Sequence, residues 1–201
     1  MFFFWSNEIG LEKFWKSNAD ARLAVVGMYD AMQPTYKTNH FLWGEFRGDS
    51  YTPSGGATSQ NIELVLQGIT AENRSVLKWN NLYILINRAN QCIKYIPTIS
   101  GYDKNLLAEA YATRAFTYFD AIRVWGAVPL FTEPTETVVD IQRSRTAGAT
   151  ILKDVIIPDM LKAEELMIVP SNNFRFSKAS IYCLQAEVYM WTKQYDKAKL
   201  A

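Results

Sequence analysis

Side chains able to hold a ligand are concentrated between Tyr36 and Gly56, where Asn39, Trp43, Glu45, Arg47, Asp49 and Tyr51 stand among Gly, Ser and Thr. Aromatic rings supply flat stacking faces, while carboxylates, an amide and a guanidinium supply hydrogen bonds. Such a set suits noncovalent capture and makes no bonds of its own. A connection of this length with no period of its own is usually functional or mobile. The competing arrangement is structural: Trp43 and Phe46 tuck under the loop, and Arg47 pairs locally with Asp49. The triplet Arg47-Gly48-Asp49 matches an adhesion motif, but three residues recur by chance too often to carry that reading.

Catalytic chemistry finds little footing. His40 is the single histidine, and no Ser or Cys sits in a nucleophile setting. Ser54-Gly55-Gly56-Ala57 lacks the Lys and the strand-to-helix context of a phosphate loop. The acidic pairs Glu164-Glu165 and Glu133/Glu136 fall on faces read as exposed, where a solvated charge is the default. Cys92 and Cys183 lie inside helical patterns without nearby His, which excludes a disulfide framework and a metal site. The expectation is a non-enzyme with no cofactor and no metal.

Composition narrows the partners. The 201 residues are 49% hydrophobic and 20% charged, with a net charge of +1. That length supports one sizeable core or two small ones. The near-neutral balance gives nothing to attract a phosphate backbone, so nucleic acid is not expected. Aromatics reach 14%, including six Trp and eleven Tyr, most of them expected in the core. No stretch approaches the roughly 18 apolar residues of a membrane span. The apolar start Met1 to Ser6 lacks a basic region and a cleavage site, so no export signal is read there.

The elements that position these groups are helical. Ser17-Asn18-Ala19-Asp20 reads as a capping box opening helix one, with Leu23, Val25, Val26, Met28 and Met32 at helical spacing and Pro34 as its stop. Helix two is expected from about Ala71 to Tyr95, carrying Leu82, Ile86, Ala89 and Ile93, with Trp79, Tyr83 and Asn90 beside that stripe. Pro97 ends it, and Asn90 is expected to satisfy a neighbouring backbone group. Helix three opens at Asp103 and runs through Leu107, Tyr111, Tyr118 and Ile122, with Gly126 just past its end. Helix four opens at Thr146, with Pro158 predicting a kink or break. Helix five opens at Ser177, and a sixth begins near Tyr195. No strand-like alternation is sustained, so the fold class is all-α.

Ala186-x-x-Tyr189-x-x-x-x-x-Tyr195-x-x-Ala198 has the spacing of a tetratricopeptide (TPR) turn, in which small residues let two helices approach. Helix starts near 103, 146 and 177 keep no fixed period, which points to a TPR-like helical array with degenerate helix-hairpin repeats and long irregular loops. An array buries each unit against the next, so an apolar face is expected at the last helix pair and the chain is expected to be a piece of a longer protein.

Four blocks in order then resemble the SusD/RagB family. They are Phe14-Trp15-Lys16-Ser17 leading to Gly27-Met28-Tyr29-Asp30; Trp79-x-x-Leu82-Tyr83-x-x-Ile86-x-x-Ala89-Asn90; Glu109-Ala110-Tyr111-Ala112-Thr113-Arg114-Ala115-Phe116 running into Trp125-Gly126-Ala127-Val128-Pro129-Leu130; and Arg175-Phe176-Ser177-Lys178-Ala179-Ser180. The resemblance implies a surface-exposed lipoprotein of the bacterial outer membrane. Such a protein captures oligosaccharide or peptide nutrients and works with a SusC-like TonB-dependent transporter. It also implies that residues 1–201 form an incomplete N-terminal, TPR-like helical domain, without the C-terminal ligand-binding region and without the lipid anchor. Under that reading Asn39, Trp43, Glu45, Arg47, Asp49 and Tyr51 are the expected contacts to the ligand. Glu109 and Arg114 are read as architectural neighbours along one helix surface, and the Tyr111, Tyr118 and Tyr189 rings as packing between helices.

Two other classes compete. A TPR-type adaptor for proteins would line its groove periodically with Asn and Lys, which this chain does not do. An α-toroid carbohydrate enzyme would need two acids at one cleft, and no such pair stands out. Saturable binding of an oligosaccharide without release of reducing ends separates the binder from both.

Overall fold

A computed structural model describes residues 14–74, 78–136 and 142–201. Its helices are α1 (Asn18–Tyr36), α2 (Asn39–Trp43), α3 (Ser59–Val65), α4 (Asn80–Tyr95), α5 (Lys104–Trp125), α6 (Gly148–Ile151), α7 (Ile157–Leu166), α8 (Lys178–Trp191) and α9 (Tyr195–Leu200). The two-residue strands β1 (Val128–Pro129) and β2 (Arg145–Thr146) pair antiparallel, with Val128 opposite Thr146 and Pro129 opposite Arg145. The all-α, TPR-like reading holds. The apolar start Met1 to Ser6 lies outside the described residues.

α1 opens on the expected capping box: the Ser17 amide donates to Asp20 Oδ2 at 2.8 Å, and Asp20 N donates back to Ser17 Oγ at 3.4 Å. Its buried stripe is Ala21, Val25, Met28, Ala31 and Thr35, whereas Leu23 and Val26 face solvent. Pro34 does not stop the helix as expected but lies inside it. Side chains bond two carbonyls beside the proline. Thr35 Oγ1 donates to the Ala31 carbonyl at 2.8 Å, and Asn81 Nδ2 reaches the Pro34 carbonyl at 3.3 Å.

α4 begins at Asn80, later than expected, because residues 71–74 lie in turns and Trp79 is the non-helical N-cap; residues 75–77 lie outside the described set. α5 is the axis of the molecule. Asp103 caps it by accepting from Asn105 N at 2.9 Å, and its buried residues occupy nearly every side. It ends at Gly126, whose φ of +71° belongs to a region that L side chains avoid. There the chain reverses into β1.

The fourth expected helix opens at Gly148, not Thr146, which pairs in β2 instead. Glycine suits 148 because a Cβ there would sit tightly against the Gly126 carbonyl at 3.2 Å and Ile122 Cβ at 3.4 Å. The backbone stays helical through Pro158, but regular α-helical bonding is broken just ahead of it, as expected near a proline. A π turn over Leu152–Ile156 precedes it, widening the backbone ahead of a residue that lacks an N–H and would crowd the carbonyl four residues back.

Two buried clusters share α5. One gathers α1, the C-terminal half of α4 and the start of α5 around Met28, Leu85 and Leu107. The other surrounds Tyr118 and Phe119 with Leu82, Ile86, Ile156, Met160 and Val188. The last pair, α8 and α9, turns at Lys193 and buries Tyr189, while Met190, Trp191, Tyr195 and Leu200 stand exposed.

Candidate functional site

At the centre of the second cluster lies a polar knot. Arg114 grips Asp159 with two bonds, Nε to Oδ2 at 2.7 Å and Nη2 to Oδ1 at 2.9 Å. Its remaining nitrogen, Nη1, donates to Asn90 Oδ1 at 2.8 Å and to the Thr132 carbonyl at 3.0 Å. Burial works against this charge, but the hydrogen bonds and attraction of Asp159 outweigh it and hold Arg114 above its ordinary value. Asn90 passes the grip on, donating to the carbonyls of Phe131 and Glu133 at 3.0 and 3.1 Å. The expectation that Asn90 serves backbone groups is met.

This network straps residues 129–135 onto α4. Tyr118 accepts from the Phe131 amide at 2.8 Å and donates to its carbonyl at 3.0 Å. Tyr83 donates to the Pro129 carbonyl at 2.6 Å, and Asn87 Oδ1 accepts from Thr135 N at 2.7 Å. Between the strap and α4 opens a groove of about 340 Å³, lined by Trp79, Asn80, Tyr83, Ile86, Asn87, Pro129, Phe131 and Thr135. Its walls are aromatic: Tyr83 sits edge-on to Trp79 at 5.8 Å and to Phe131 at 5.6 Å. Asparagine amides and a threonine supply its polar points. An apolar groove with a few fixed polar groups is the ordinary form of a small-molecule site.

The segment expected to hold the ligand is arranged otherwise. It contains α2 and a 3₁₀ turn over Glu45–Arg47, elements its composition did not announce. Trp43 is buried, edge-on to Trp125 at 5.1 Å and to Tyr36 at 6.0 Å, so its faces are in the core. Asn39 donates to the Thr35 carbonyl at 2.8 Å, closing the end of α1. Trp43 and Glu45 line a cleft of about 270 Å³ with His40, Asp120 and Arg123, and Arg123 pairs with Asp120 there. Asn39, Arg47, Asp49 and Tyr51 do not line that cleft. Tyr51 is exposed and stacks on Phe46 at 4.9 Å, and the Arg47 carbonyl accepts from Gln67 Nε2 at 2.5 Å.

Trp43 nevertheless touches the groove indirectly. Trp125 bridges from Trp43 to Trp79, at 5.1 and 5.9 Å, so one chain of rings runs from the segment into the groove wall. Sequence reasoning placed Trp79 and Tyr83 beside a buried stripe without assigning them a site, and it passed over Asn87, Phe131 and Thr135. The signal was present in the four-residue steps 79, 83 and 87, which share one helix face.

Glu109 and Arg114 are architectural but are not neighbours. Five residues apart, they point roughly 140° away from each other around the helix. Glu109 accepts from Arg175 Nε at 2.8 Å, and Tyr29 beside it accepts from the Phe176 amide at 2.8 Å. Burial raises the Glu109 carboxyl, with Tyr29 and Arg175 opposing. Burial also pushes the Cys92 thiol up to about 12, far from the thiolate a metal would need.

Fold and groove together define an all-α helical-hairpin array that carries an aromatic site of ligand size. Residues 10–190 match the SusD-like family described as starch-binding associating with outer membrane. The chain is similar to SusD-like protein P38 of Formosa agariphila, 41% identical over 97% of this chain and 39% of that protein. It is also similar to SusD-like protein P2 of the same organism, 28% identical over 96% of this chain and 40% of that one. Among solved structures, NanU of B. fragilis superposes with a TM-score of 0.84 at 25% identity, over 98% of this chain and 43% of NanU. A laminarin binding SusD-like protein superposes at 0.76 with 26% identity, over 91% of this chain and 42% of that one. The chain belongs to the SusD-like family. It spans about two-fifths of the length of the curated relatives it matches.

Proposed function

We propose that the protein captures oligosaccharides at a bacterial outer-membrane surface, without cleaving them, and delivers them to a partner TonB-dependent transporter. The observation that carries this reading is the Trp79–Tyr83–Phe131 groove, whose ring surfaces suit the apolar faces of pyranose rings and whose amides suit hydroxyls. Family membership supports a saccharide over a peptide and outer-membrane association over any other site. Among the described residues, no helix is long and apolar enough to cross a membrane.

The test is calorimetric titration with starch-derived and laminarin-derived oligosaccharides, alongside a reducing-end assay. Saturable binding without new reducing ends is the expected result, and Trp79→Ala is expected to weaken it about tenfold. Release of reducing ends would replace capture with hydrolysis. Binding of peptides but not saccharides would favour the adaptor reading.

A further inference from the structure

The rim of the groove is cationic and its lining contains no carboxylate. Arg145 lies with its guanidinium carbon 5.0 Å from the centre of the Trp79 ring, and Arg143 stands equally close to Phe131. Their placement is built in, because the β1–β2 register sets Arg145 opposite Pro129, itself a lining residue. Both arginines are exposed, and each has a single long backbone contact, Arg143 to the Leu130 carbonyl and Arg145 to the Ala127 carbonyl, both at 3.4 Å. Among the described residues neither belongs to an ion pair. A guanidinium has five N–H donors, so most of these remain for a ligand.

Among the described residues, the acids nearby do not cancel this charge. Glu136 is held by Lys94 at 2.8 Å and by the Tyr95 hydroxyl, and Glu133 does not line the groove. The amide acceptor of Asn87 is taken by Thr135 N, and the Tyr83 hydroxyl proton is directed to Pro129. Neutral sugars present many hydroxyl protons and are commonly met by carboxylate acceptors. This groove offers mainly donors over aromatic floors. In a chain whose net charge is +1, that is a local arrangement and not a general excess of base.

From this we infer that the groove selects acidic saccharides, meaning pyranose units that carry a carboxylate or a sulfate, with Arg143 and Arg145 as the anion-binding groups. The inference rests on the capture function proposed above and names the ligand class of the same site. Planar guanidinium groups match both anions by paired hydrogen bonds.

The test uses oligogalacturonate and its carboxyl-reduced form, and a sulfated galactan oligosaccharide and its desulfated form, titrated into the purified protein at low salt. The expected result is that at least one acidic probe binds about tenfold tighter than its neutral counterpart, with the gap narrowing as salt rises. Preference for both acids or for one identifies whether carboxylate or sulfate is the anion. The double substitution Arg143→Gln with Arg145→Gln is expected to abolish the preference, bringing acidic and neutral probes to equal affinity. Arg145→Lys, which keeps the charge, should retain part of it, and circular dichroism checks the fold of each variant. Equal binding of acidic and neutral probes overturns the inference and leaves capture intact. No binding of any of these probes at millimolar concentration also overturns the inference, whereas the capture reading falls only if the starch- and laminarin-derived oligosaccharides fail to bind as well.

Discussion

The segment around Trp43 to Tyr51 and the groove around Trp79 to Thr135 contain similar kinds of side chain and differ in how these are held. In the first, polar groups are spent close to home: Asn39 closes α1, and the Arg47 amide donates to the Gly44 carbonyl. In the second, bonds cross the sequence, from Tyr83 to Pro129, Asn87 to Thr135, and Asn90 to Phe131. Residue types announce what chemistry is available. A buried network decides where that chemistry is rigid enough to recognise a shape.

The sharpest way to break this contrast is to cut the knot. Arg114→Ala leaves Asp159 buried without its partner and is expected to cost about 3–5 kcal/mol of stability, read from denaturant midpoints. Saccharide binding should fail with it, because the strap loses its anchor. A variant that binds normally would show that the groove needs no such support. A smaller effect follows from Asn87→Ala, which frees the Thr135 amide and is expected to cost about 1 kcal/mol. Amide exchange at Thr135 should quicken in that variant, and unchanged protection would remove Asn87 from the strap. The smallest effect belongs to Tyr51→Ala. Its ring is exposed, so stability should shift within about 0.5 kcal/mol and saccharide affinity should not move. A clear loss of affinity there would return the binding role to the first segment.

Much of the scaffold was legible because caps are local. Ser17 with Asp20, Asp103, Ser177 and Gly126 each mark a helix end through contacts within a few residues. Pro34 misled because the helix continues past it to Tyr36, where Thr35 bonds the Ala31 carbonyl and Asn81 reaches the Pro34 carbonyl from another helix. Leu23 and Val26 share the helical spacing of Val25 and Met28 yet face solvent, since apolar spacing alone cannot say which side of a helix is covered. The groove was harder. Trp79, Tyr83 and Asn87 fall in step on one face, but the opposing wall is placed by Asn90, Arg114 and Asp159, which lie 24 and 45 residues apart along the chain. No local pattern encodes that meeting.

The π turn at Leu152–Ile156 bears on how this stretch should be compared with its relatives. A wider turn absorbs one extra residue, so it acts as a single-residue insertion that advances the helix by about 100°. Ile151 and Val155 keep one frame, while Ile156, Met160, Ala163 and Met167 keep a second frame shifted by one position. Asp159 reaches Arg114 in the second frame. An alignment that allows no gap here would set the carboxylate against the wrong column. Deleting one residue from this turn would rotate Asp159 about 100° around the helix, away from Arg114.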